Sequence, residues 1–166
     1  MLHQFIKTLD QKFGFDTAKA HCDIPCGIYD PIIPQIAALT VVRMIDLMAA
    51  FEKDHPEKDL AYHNTLSRYI AVKEEHAEKV KADVRVIWGD YFKPNHIEAY
   101  PELQALTHEI MALGSKCRQT VDREVALKLV DKLNRFAEIF WATKNVPVKR
   151  AKSPYAPALE LVYPNL

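Results

Sequence analysis

The sequence predicts an all-α protein, an antiparallel four-helix bundle with one distinctive segment ahead of it. Three observations carry this reading. Only four glycines occur in 166 residues, too few for an all-β chain rich in tight turns. Ala, Leu, Lys and Glu are plentiful, and all four favour helices. Four stretches repeat apolar residues at intervals of three and four, the spacing of one helix face.

Residues 1–20 place Leu2, Phe5, Ile6, Leu9, Phe13 and Phe15 at amphipathic helical spacing. Lys7, Asp10, Gln11 and Lys12 interrupt any continuous apolar run, so this is no secretory signal. Ala18 and Ala20 are small, as a processing site requires. The segment reads as a leader removed inside the cell after Ala20. The bland alternative is a first helix that stays attached.

Next comes His21-Cys22-Asp23-Ile24-Pro25-Cys26-Gly27-Ile28-Tyr29-Asp30-Pro31, with two of the three cysteines in the chain. Imidazole and thiolate this close together form a soft nitrogen–sulfur donor set, suited to a late transition metal and not to magnesium or calcium. Cleavage after Ala20 would add a free α-amine at His21. Pro25 and Gly27 let the chain turn tightly enough to bring Cys26 back toward Cys22.

The first bundle helix spans about 34–53, starting at Pro34, which suits a first turn. Its polar positions before the last turn are few: Gln35, Thr40, Arg43 and Asp46. A helix apolar over most of its surface is buried on more than one side, which here predicts contact with another subunit. His55-Pro56 closes it. A second helix spans about 59–88 through Leu66, Ile70, Ala77, Val80, Val84 and Ile87, with Gly89 as its stop. A loop over 90–94 turns the chain. A third helix spans about 101–113 through Leu103, Leu106 and Ile110, ended by Gly114-Ser115. The fourth spans about 121–144 through Val125, Leu129, Leu133, Phe136 and Phe140. Trp88 and Trp141 read as core, and Cys117 as a spare thiol at a helix connection.

The tail, 146–166, contains Pro147, Pro154, Pro157 and Pro164 and cannot be helical throughout. Its alternation is poor, so it reads as extended or partly disordered. Leu159, Leu161, Val162 and Tyr163 would wrap a neighbouring subunit. The chain thus divides into a leader (1–20), a hook plus bundle (21–145) and a tail (146–166).

Composition sets limits. Lys plus Arg number 22 and Asp plus Glu 22, for a net charge of zero. Nothing here points to a nucleic acid or an anionic membrane. No run of about twenty apolar residues stands out as a transmembrane span. Three cysteines are too few for a disulfide scaffold and odd in number, which predicts a reducing compartment.

The pattern HCDxPCGxYDP resembles the metal hook of the nickel-containing superoxide dismutases. His21, Cys22, Asp23, Pro25, Cys26, Gly27, Tyr29, Asp30 and Pro31 all match. Trp88-Gly89-Asp90-Tyr91-Phe92-Lys93-Pro94 with His96 and Tyr100-Pro101-Glu102-Leu103 is a second matching block. Ile139-Phe140-Trp141-Ala142-Thr143-Lys144 is a third. The resemblance covers about 21–145.

It implies superoxide dismutation at one nickel ion per subunit, in a homohexamer of a bacterial cytoplasm, after a protease has removed the leader. By resemblance Cys22 and Cys26 bind through sulfur, Cys22 also through its backbone nitrogen, and His21 through its α-amine and imidazole. Tyr29 would sit over the open face, with Tyr91 as a second hydroxyl and Lys93 attracting the anion; Asp23 is a further candidate within the hook. One departure stands out. The family's axial imidazole is held by a glutamate paired to an arginine, and the matching positions here are Ala37 and His76. His76, Glu74 or Glu75 nearby, or water takes over. Taken alone, Tyr29 reads as a packed ring, Lys93 as a solvated lysine and His76 as a surface residue. Two rival readings are a nickel or copper carrier using the same hook, and a purely structural Cys22–Cys26 pair.

Overall fold

The computed structural model describes residues 26–166. It is mostly helical, with α1 (Ile32–Asp54), α2 (Leu60–Val86), a π-helical turn (Ile87–Tyr91), α3 (Pro94–Ala99), α4 (Leu103–Gln119) and α5 (Arg123–Thr143). Two strands follow, β1 (Val148–Lys152) and β2 (Glu160–Pro164). The leader and hook residues His21, Cys22 and Asp23 lie outside the described residues.

The four long helices pack in a ring: α1 lies on α2 and α5, and α4 closes the ring against the same two. Their apolar stripes meet in one core, with Leu39, Val41, Ile110, Leu129, Leu133, Phe136 and Phe140 buried. Each such side chain contributes roughly 1.5–3 kcal/mol by leaving water.

Helix α1 begins where Asp30 Oδ1 accepts the Ile32 N–H at 2.8 Å. It is long and apolar enough to cross a membrane by length and composition, with mean hydropathy 1.6 over a window half buried inside the protein. This revises the reading that no such stretch exists. The apolar composition has a local cause, because α1 packs on α2, α5 and β2 at once. Ile33 and Ile36 remain exposed on its outer side.

Two glycines behave differently from expectation. Gly114 does not stop a helix; α4 runs through it to Gln119. A Cβ there would lie 2.8 Å from Lys81 Cγ, so the glycine lets α2 and α4 close. Gly89 likewise sits inside the π-helical turn. Trp88, expected in the core, is 39% exposed. The loop expected to turn the chain is that π-helical turn followed by the short helix α3.

Cys117 lies within α4 and is buried, not at a connection. Its carbonyl oxygen accepts from Lys73 Nζ at 2.5 Å, and Lys73 also donates to Arg118 O at 2.8 Å and Thr120 O at 3.1 Å. The Lys73 side chain, 1% exposed, thereby satisfies carbonyls that a helix end leaves without partners.

The tail corrects the all-α expectation. It forms an antiparallel hairpin with Val148 opposite Pro164 and Lys152 opposite Glu160. Leu161 and Val162 are buried, and β2 packs on α5 and α1 of the same chain. The apolar tail residues thus find a place within their own subunit.

Candidate metal centre

The hook enters the described structure at Cys26, whose side chain is exposed. Gly27 follows with φ +71° and no atom within 4 Å of an added Cβ. Backbone conformation, not space, calls for glycine, since the left-handed region costs other residues about 1–2 kcal/mol.

Ile28, Tyr29 and Asp30 then line a small crevice with Ile33 and with Asp83, Val86 and Ile87 at the end of α2. Tyr29 is half-buried, and its ring lies 5.8 Å from that of Tyr91 at 51°. The structure therefore brings the two tyrosines named from the sequence together. Tyr91 reaches this position because the π-helical turn continues α2 and then releases the chain. Its ring packs on Phe140 at 4.6 Å and stacks on His96 at 5.6 Å. Its hydroxyl lies 2.7 Å from Thr143 Oγ1.

Lys93 lies just past that turn, directly before α3, exposed, with Nζ donating to Asp90 O at 2.9 Å. Lys144 Nζ stands 4.8 Å from the Tyr91 ring centroid and 5.3 Å from that of Phe140, close enough for cation–π attraction. Thr143 and Lys144 belong to the third matching block, yet nothing in the sequence gives them a role, because the contact is tertiary.

His76 is half-buried on α2, with Nδ1 2.9 Å from Val72 O. A carbonyl only accepts, so Nδ1–H donates to it, and Nε2 is the ring nitrogen left outside that bond. Asp83 lies seven residues further along, about 10 Å up the helix axis. His76 is not among the residues lining the crevice at Tyr29. Ala37 is buried in the core.

The thiols differ sharply. Burial pushes the Cys117 thiol up to about 11, so it stays protonated at neutral pH and cannot ligate a metal, which needs the thiolate. Cys26 is accessible. Among the described residues no group of three or more His, Cys, Asp or Glu is placed to hold a metal ion. The chemistry of the donor set at residues 21–26 fits a soft, thiolate-binding metal such as nickel.

A family described as nickel-containing superoxide dismutase matches this chain over residues 16–144. The chain belongs to that family. A superoxide dismutase [Ni] from Streptomyces coelicolor is 37% identical over 128 residues, covering 77% of this chain and 91% of the relative. One from Streptomyces seoulensis is 38% identical over 125 residues, covering 75% and 88%. A crystal structure of a Ni-containing superoxide dismutase, with its ligation in the oxidised state, aligns at TM-score 0.65 and 38% identity. That alignment spans 75% of this chain and 99% of the other. The hairpin β1–β2 lies beyond the matched span.

Proposed function

We infer that this chain is a superoxide dismutase with nickel as its cofactor, an oxidoreductase that converts two superoxide anions and two protons to O2 and H2O2. The observation that carries this is the family match, which runs unbroken through the hook and both later blocks. A carrier would have no reason to set Tyr29 against Tyr91 beside the hook, so the catalytic reading is favoured.

His21, Cys22 and Cys26 would hold one nickel ion per subunit. Bound there, nickel supplies the one-electron exchange that oxidises one superoxide and reduces the next; two thiolates favour its higher oxidation state. Tyr29 presents its hydroxyl to the approaching anion, with Asp23 within the hook and Tyr91 as the neighbouring hydroxyl. Lys93 contributes positive charge nearby, and Lys144 adds to it. His76 offers its second ring nitrogen in place of the missing glutamate–arginine pair; unchanged activity and metal spectra in His76→Ala would remove it from the mechanism.

The finer architecture belongs to the same proposal. The four long helices form an antiparallel four-helix bundle, and six copies assemble, which would cover the exposed Ile33 and Ile36 of α1. A protease removes residues 1–20, creating the His21 amine, in a bacterial cytoplasm.

The test is protein from nickel-replete cells that also express the processing protease. Intact mass should show loss of residues 1–20, with one nickel per chain and rapid superoxide decay. A processed, nickel-loaded chain without activity would sink the dismutase reading and leave the carrier.

A further inference from the structure

We propose that Asn134 is a positioning residue for the hook: it ties the C-terminal hairpin to the first turn of α1 through Gln35. This rests on the nickel reading above.

Three hydrogen bonds carry the link, two of them buried and the third partly so. Gln35 Nε2 donates to Asn134 Oδ1 at 2.8 Å. Val162 N–H donates to the same oxygen at 3.1 Å. Asn134 Nδ2 donates to Glu160 O at 2.9 Å. Gln35 is 1% exposed and Asn134 3%. The carboxamide thus lies along β2 as a peptide unit of a neighbouring strand would, sealing that edge. Its orientation is fixed, because a flipped Asn134 would set its NH2 against two other donors.

The far end of the link is the hook. Gln35 belongs to the first turn of α1, and its N–H donates to Pro31 O at 3.2 Å. Asp30 caps the same turn, and Tyr29 precedes it. The turn's outer side is bare, with Ile33 48% and Ile36 43% exposed. Pro34 removes one backbone donor from it. Gln35 therefore gives this turn a directional tie inside an otherwise apolar contact. The hairpin that completes the tie lies beyond residues 16–144, the span that the family match covers.

The decisive variant is Gln35→Leu in the full-length chain, which keeps volume and leaves Asn134 bonded to β2. Thr107→Val is the control; it deletes a buried bond, Thr107 Oγ1 to Leu103 O, with no route to the hook. In Gln35→Leu the amides of Ile32 and Gln35 should exchange with solvent about tenfold faster. Nickel should be lost to a competing chelator about tenfold more readily, with shifted nickel–thiolate absorption. Thr107→Val should show none of these changes. Asn134→Leu should reproduce Gln35→Leu; if it does not fold, Gln35→Leu decides. Wild-type exchange and nickel affinity in Gln35→Leu would overturn the proposal. Should the wild-type chain bind no nickel, the functional reading falls, and amide exchange alone judges the link.

Discussion

The hydroxyl of Tyr91 donates to Thr143 Oγ1 at 2.7 Å. The direction follows from Thr143, whose single proton goes to Phe140 O, also at 2.7 Å. The tyrosine hydroxyl beside the hook is thus anchored to α5 and keeps its lone pairs free to accept. Tyr91→Phe and Thr143→Val should each cost about 1 kcal/mol in urea unfolding. Superoxide decay should slow in Tyr91→Phe alone. Equal activity in both would confine Tyr91 to packing.

Cys26→Ser should leave the unfolding midpoint of the apo chain unchanged, because the side chain is exposed and outside the core. It should abolish nickel retention on gel filtration and with it superoxide decay, since a neutral hydroxyl replaces a thiolate donor. Retained nickel would place the metal elsewhere.

The Cys117 thiol titrates near 11 when folded, against an ordinary 9. The folded state holds this proton more tightly, so the associated stability is complete below about pH 9 and is lost as pH rises through 11. That difference corresponds to about 3 kcal/mol. Lys73 works the other way: burial lowers its ammonium below the ordinary 10.5, so stability tied to it rises with pH up to that value. Urea unfolding of wild type and Cys117→Ala isolates the thiol. Wild type should lose more stability than the variant between about pH 8.5 and 11. At neutral pH, iodoacetamide should modify Cys26 in the folded apo chain and spare Cys117.

Lys73→Met should destabilise by about 2–4 kcal/mol, since three carbonyls at the end of α4 lose their donor within a buried site. Chemical unfolding measures it. A loss under about 0.5 kcal/mol would mean that water replaces the ammonium there.

Helical periodicity made α1, α2, α4 and α5 legible, because each stripe answers to a single core. What escaped was tertiary in cause. Gly114 looked like a stop, but it serves the approach of Lys81. Leu161 and Val162 adjoin because β2 is covered on both faces, which erases the alternation that marks a half-exposed strand. The nearness of Tyr29 and Tyr91 came from family resemblance and not from periodicity, which says nothing about residues so far apart in the chain. His21, Cys22 and Asp23 rest on that resemblance and the chemistry of their donors.

The π-helical turn at 87–91 sets an angle. Each residue of an α-helix advances the chain by about 100°, so removing one residue here would swing Tyr91 by that much, away from Tyr29 and Thr143. Trp88, Gly89 and Asp90 face solvent, so the core does not dictate their identities. Their number is what the angle fixes. Insertions and deletions in this turn should therefore be all but absent.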